Sequence, residues 1–455
     1  MFPVALLSSR SEAQTFSSTS FTCITSLPKN SNDAASYAVK NLPNQTDALT
    51  ASLNGQFSGY IPLSDDATNF ADVFFWYFPS VKENATDLVV WLNGGPGCSS
   101  LFGSFVENGP IHMNENGSLT ENLNSWHRDA NFVYVEQPLG TGFSQRAKSS
   151  LAPTTEFQVA SEFVSFLNGF YSTFPEARRL NLYLTGESYA GMYIPYIASA
   201  ILTCKTLIDG TRIPLTGVAI GDGVLDQGEQ FGIPNSVQAN YDFLEASGFF
   251  KNQSSLQTEA FNQVTTCKNV RTQTQLDRAP FQCDVFSLVN TYYNTTHNGL
   301  CLDIYNIDFT VPCLNSEDEF YKEEDALTRY LNSPAVRAAI HVDPILSQNQ
   351  PAFNWQVCSS ISITQNGDYD ANTSVSLLAN LIANGIKVVI FNGDRDLLVN
   401  YVSTEKVLSA LSWQGSTGFQ KGPTNWTAGL DHAGLYWSER GLSCEVLAIH
   451  ETHGY

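Results

Sequence analysis

The chain has 455 residues, 43% of them hydrophobic and 12% aromatic, and its 44 acidic against 23 basic side chains give a formal net charge of -21. That length buries a sizeable core, and that acidity leaves no electrostatic attraction for nucleic acid or anionic membranes. No apolar run approaches the roughly 20 residues needed to span a bilayer, and none of the nine cysteines has the close paired spacing of a zinc site, so no metal is expected.

Residues 1–50 are rich in Ser, Thr, Asn and Asp and read as a loosely packed entry segment. The apolar run 2–7 is short for a signal h-region and has no basic residue before it. Residues 73–78 and 88–92 are aromatic and β-branched and predict strands, with a third at 132–135. Residues 155–171 place Phe157, Ala160, Phe163, Val164, Leu167 and Phe170 at helical spacing. A short strand follows at 180–185, then a helix through Ile194, Ile197 and Ile201, then a strand at 217–220. Residues 225–345 break this alternation, hold Cys267, Cys283, Cys301 and Cys313, and are expected to form a cap inserted between two parts of a core, 51–224 and 346–455. The rhythm resumes with a helix at 374–384 stopped by Gly385, a strand at 387–391 and a last strand at 444–449. Alternating strands and helices predict an α/β fold whose mostly parallel sheet is covered on both faces. Sequons at Asn44, Asn84, Asn116, Asn252, Asn294, Asn372 and Asn425 predict a glycoprotein of the secretory pathway, where disulfides are permitted and the odd cysteine count leaves one thiol over.

The chemistry is concentrated in three places. Gly186-Glu187-Ser188-Tyr189-Ala190-Gly191 stands between a predicted strand and helix, the setting of a nucleophile elbow, with Ala190 as the second small residue. Trp91-Leu92-Asn93-Gly94-Gly95-Pro96-Gly97-Cys98-Ser99-Ser100 follows an early strand, and its glycines let backbone N–H groups turn toward a developing oxyanion. Gly95 and Tyr189, the residue after the nucleophile, are the expected donors. The third place lies after the strand at 387–391, where Asp394 and Asp396 both qualify as the acid that follows Ser in an α/β-hydrolase. Of the histidines beyond them, His450 would project from a strand end, His453 lies in the tail, and His432 reads as a surface residue in a Gly/Ala turn.

From about residue 57 onward these motifs resemble the serine carboxypeptidases, and Glu136-Gln137-Pro138-Leu139-Gly140-Thr141-Gly142-Phe143-Ser144 looks like a further signature of that family. The resemblance implies an α/β-hydrolase with Asp396 as the triad acid and His450, in Ala448-Ile449-His450-Glu451, as the base. It implies that Asn93, Gly94, Glu107 and Glu187 hold the substrate's terminal carboxylate and that Cys98 pairs with Cys358. The acid pair has a physical logic: two close carboxyls share a proton, and a protonated carboxyl donates to the substrate carboxylate. The implied reaction releases C-terminal amino acids from peptides through an acyl-enzyme, at acidic pH and without metal or organic cofactor. An acyltransferase sharing the same triad and an inert homologue are the competing readings. Ile449 stands where the family carries Gly, and the chain ends five residues after His450, so a truncated copy is expected.

Overall fold

The computed structural model describes residues 33–64, 70–147, 151–270, 273–276, 283–313, 322–342, 354–361, 373–428 and 431–448, together with Phe21, Cys23 and Ile363. They fall into two compact units, the first within Phe16–Ala219 and Glu319–Tyr369 and the second within Ile220–Asp318 and Asp370–Gly454.

The first unit is organised on strands β1 (Phe57–Pro62), β2 (Ala71–Phe78), β3 (Asp87–Leu92), β4 (Asn131–Val135) and β5 (Asn181–Glu187), in the spatial order β1-β2-β4-β3-β5. β4, β3 and β5 run parallel, while β1 and β2 are antiparallel to their neighbours. Every residue of β2 from Val73 to Phe78 is buried, which requires cover on both faces. Phe74, Trp76 and Phe78 point into a cluster with Phe105 and Tyr134. The alternate residue Phe75 meets the rings of Phe166 and Phe170 from helix α1 (Glu156–Thr173). Thr155 caps α1 by accepting the Gln158 N–H at 3.2 Å. Helix α2 (Ala190–Cys204) is buried all the way from Ala190 to Ile201, as a helix apolar on every side must be.

Residues 33–50, part of the expected loose entry segment, bury Tyr37, Val39, Leu42 and Leu49. Helices Lys322–Leu331 and Pro334–Ala339 supply Leu327, Leu331 and Val336 to the same core. Disulfides Cys23–Cys204 and Cys98–Cys358 lie within this unit.

A strand, β6 (Leu215–Gly221), carries the chain across the boundary between the units. The second unit holds α3 (Asn235–Ala246), α4 (Ser254–Cys267) and α5 (Val285–Thr296), packed around Phe243, Leu244, Leu256, Val264, Val285 and Val289. Disulfides Cys267–Cys283 and Cys301–Cys313 staple this helical region. Helix α6 (Val375–Ala383) leads into strand β7 (Lys387–Gly393), and helix α7 (Tyr401–Ala410) follows it. Three strands follow toward the end of the unit: β8 (Thr424–Ala428), β9 (Asp431–Glu439) and β10 (Leu442–Leu447). β7 and β10 are parallel, and β8, β9 and β10 form an antiparallel meander. Each unit therefore holds both parallel and antiparallel strand pairs.

His432 corrects a reading from sequence. His432 is exposed, as read, but where Ala433 and Gly434 suggest a turn it lies on strand β9, paired with Thr427. Gly434 is present because a Cβ there would lie 2.1 Å from the Val446 carbonyl oxygen of β10, so the glycine marks a close strand approach. Cys444 is the one cysteine outside the four disulfides and is buried in β10. No described helix is long and apolar enough to cross a membrane.

Candidate active site

Ser188 occupies the turn between the end of β5 and the start of α2 and has φ 55, a left-handed conformation costly for a side chain with a Cβ. The surrounding packing enforces it. A Cβ on Gly186 would lie 2.2 Å from the Leu92 carbonyl oxygen and 2.8 Å from the Ala190 Cβ, so strand and helix approach there only with a glycine and a small residue.

The glycine loop after β3 packs against this turn. A Cβ on Gly94 would lie 2.4 Å from the Tyr189 backbone N and 2.8 Å from the Ser188 Cβ, so Gly94 keeps the space before that N–H open. Gly95 has φ +108, and a Cβ there would lie 2.8 Å from both the Gly97 and Cys98 nitrogens. The loop is tied from several sides. Cys98 N–H donates to the Gly94 carbonyl at 3.1 Å, Gly97 N–H to the Tyr193 hydroxyl of α2 at 3.1 Å, and Ser359 N–H to the Gly97 carbonyl at 2.9 Å. The Cys98–Cys358 disulfide adds a covalent tie, with Cα atoms 3.9 Å apart.

Asn93, 3% exposed, organises the acids beside the elbow. Its Oδ1 accepts from the Trp91 indole at 2.9 Å and from the Gly103 N–H at 3.3 Å. Its Nδ2 donates to Glu187 at 2.8 Å and to Glu107 at 3.2 Å. One amide thereby brings two carboxyl groups together next to Ser188. Burial, the charge of Glu187 and a side-chain bond to it hold the Glu107 carboxyl well above the usual carboxylate range. Burial also raises Glu187. Among the described residues Glu107 Oε2 is buried and meets no N–H or O–H donor, which suits it to hold the proton that two adjacent acids must share. A site with a neutral carboxyl beside a carboxylate can donate a hydrogen bond to an incoming anion.

In the second unit, Asp396 is 8% exposed and its Oδ1 accepts from the Val399 N–H at 2.8 Å. Asp394 donates its N–H to the Leu447 carbonyl of β10 at 2.9 Å. Asp222, at φ 42, braces the base of this loop: its Oδ1 accepts from the Gly393 N–H at 2.9 Å and from the Asn392 amide at 3.3 Å. β7 and β10 are parallel partners ending side by side at Gly393 and Leu447, so the acid loop and the chain running on toward residue 450 leave the same edge. His450 itself lies outside the described residues, as does the sequon at Asn372. The asparagines of the other six sequons, Asn44, Asn84, Asn116, Asn252, Asn294 and Asn425, are all exposed. Among the described residues no group of three or more His, Cys, Asp or Glu is gathered as a metal ion would need.

Sequence reasoning assigned no role to several side chains that shape this region. Glu136 was visible only as part of a signature, while Tyr193, Asp222 and Trp355 carry no local signal and acquire their partners through folding.

The profile of the serine carboxypeptidase family matches residues 44–446. The pheromone-processing carboxypeptidase kex1 of Talaromyces stipitatus is 33% identical over 433 residues, which cover 92% of this chain and 66% of that protein. The protein of the same name from Penicillium rubens is 31% identical over 434 residues, covering 92% of this chain and 68% of its own. The crystal structure of Kex1(delta)p, a prohormone-processing carboxypeptidase from Saccharomyces cerevisiae, superposes with a TM-score of 0.71 at 26% identity, over 92% of each chain. The chain spans about two thirds of the length of the curated relatives it matches.

Proposed function

The chain belongs to the serine carboxypeptidase family, and we propose on that footing that it releases C-terminal amino acids from peptides through an acyl-enzyme. The observation that carries this reading is the pair Glu107–Glu187 gathered on Asn93 beside Ser188. A nucleophile alone would serve any acyl transfer, whereas an acid pair holding a proton next to it suits a substrate that ends in a free carboxylate.

Ser188 is the proposed nucleophile, His450 the base that takes its proton, and Asp396 the acid that orients the imidazole. What supports these roles is the order Ser, Asp, His along the chain, the strained turn at Ser188 and the braced loop at Asp396. The N–H groups of Gly95 and Tyr189 are the proposed oxyanion donors, supported by the space that Gly94 leaves in front of Tyr189. Asn93, Gly94, Glu107 and Glu187 are the proposed carboxylate subsite. The terminal amino acid leaves on protonation by His450, and water, activated by the same imidazole, completes hydrolysis. The helical region of α3 to α5 is the proposed cap, which would set the preferred terminal residue. Secretion, or residence in a vacuole or lysosome, is proposed from the six exposed sequons and four disulfides.

The test is release of the terminal amino acid from a blocked dipeptide at acidic pH. Wild type is expected to release it, and Ser188→Ala to lower kcat by about a million-fold. No release by wild type, or substantial turnover by the variant, overturns the reading. Transfer from an activated acyl ester without dipeptide hydrolysis would point instead to an acyltransferase.

A further inference from the structure

Glu136 follows strand β4 with no exposed surface at all. A buried acid is costly unless donors surround it, and Glu136 has three, drawn from three separate stretches of chain. The Ser99 hydroxyl and the Trp355 indole N–H, the latter at 3.0 Å, donate to Oε1, and the Phe143 N–H donates to Oε2. Trp355 Nε1 also lies 3.0 Å from the Ser99 oxygen, closing a triangle of acid, hydroxyl and indole. Gly142 is part of the arrangement, because a Cβ there would lie 1.9 Å from the acid's Oε1.

Both partners of Oε1 lead to the oxyanion loop. Ser99 directly follows Cys98, its N–H donates to the Val357 carbonyl at 2.7 Å, and its hydroxyl caps the turn at Leu101. Trp355 lies three residues before Cys358, in the stretch that also holds Gly97 through Ser359. Beside it, Ser100 bonds the Val135 carbonyl at 2.7 Å and the Asn93 N–H at 3.2 Å. An apolar side chain of the same shape would fill the space without the cost of a buried acid, but it would give Ser99 and Trp355 no common anchor.

We propose that Glu136 is a positioning residue for the oxyanion loop: through Ser99 and Trp355 it fixes the shape of residues 94–98 and so the aim of the Gly95 N–H. This rests on the assignment of Gly95 and Tyr189 as oxyanion donors. It predicts a loss in turnover rather than in substrate affinity, because Glu107 and Glu187 keep their own contacts.

The experiment uses the full chain with Glu136→Gln and, separately, Trp355→Phe, which keeps an aromatic ring and removes the indole donor. Labelling of Ser188 by a fluorophosphonate probe, kcat and KM on a blocked dipeptide, and Tm are measured together. Glu136→Gln is expected to lower both kcat and the labelling rate by about 10- to 100-fold. Trp355→Phe should lower them less, and KM should stay within about twofold in both. Wild-type kcat and labelling rate per folded molecule, with only Tm reduced, would overturn the proposal, as would a loss confined to KM. If Glu136→Gln does not fold, Trp355→Phe decides alone, and wild-type labelling by that variant overturns it. A wild type that is labelled but releases no amino acid refutes the peptidase reading and leaves the labelling rates to judge this one. A wild type that is not labelled overturns both.

Discussion

Glu107 and Glu187 in the first unit face each other across one asparagine amide, whereas Asp396 in the second unit takes a backbone N–H from Val399 on a loop braced by Asp222. The two settings teach what a carboxyl's surroundings make of it. An acid set against another acid in a partly buried site must keep a proton, and it becomes a donor. An acid whose oxygen already accepts from a backbone N–H is held as an acceptor, which is what orienting an imidazole requires. On the proposed reading, similar side chains take opposite roles, which mutation can separate.

Removing the acceptor should do the most damage. Asp396→Asn leaves the loop near its present shape but presents an amide, and kcat should fall by about 10⁴-fold. The same change at Asp394 serves as the control, and a larger loss there than at 396 would reassign the acid. On the donor side, Glu107→Gln replaces a titrating proton with a permanent amide donor. Wild-type activity should decline as pH rises and the shared proton is lost, and in the variant this alkaline limb should move or vanish, with kcat/KM at acidic pH reduced by about 10-fold. A pH profile superposing on that of wild type would show that the proton is not shared there.

Asp222→Ala probes the brace rather than the acid. It removes the acceptor of the Gly393 and Asn392 donors and should destabilise the chain by about 1–3 kcal/mol. Thermal melting reads this directly, and an unchanged Tm would show the loop is held without it.

The acids shifted by burial act on stability rather than on turnover. Burial pushes Glu136 up to about 7 and Glu162 up to about 8, against about 4.3 in an unfolded chain. The folded state keeps protons that the unfolded state releases, so the stability these groups lend is full below about pH 4 and declines toward about pH 8. Tm should therefore be higher at pH 5 than at pH 7.5, with Glu136→Gln flattening part of the slope.

Much of this was readable from the chain alone, and the reason is local. A strand is announced by alternating or continuous apolar residues, as at Phe74, Trp76 and Phe78, and the elbow and glycine loop are written in consecutive residues because tight backbone turns need particular small side chains in sequence. Their placement after β3 and β5 followed from that. The antiparallel meander was harder: Gly434 looks the same in sequence whether it turns the chain or lets two strands come close.

What the sequence by itself determined is the set of local conformations and the chemistry each carries: the strained serine, the open glycine loop and the acids on their strand ends. The tertiary structure alone decided which distant groups share a hydrogen bond. Ser99 and Trp355 are 256 residues apart and Asp222 and Gly393 are 171 apart, yet each pair is within 3.0 Å. No local pattern encodes such contacts, because they form only when burial of the whole core brings separate stretches together and leaves buried polar groups to find partners.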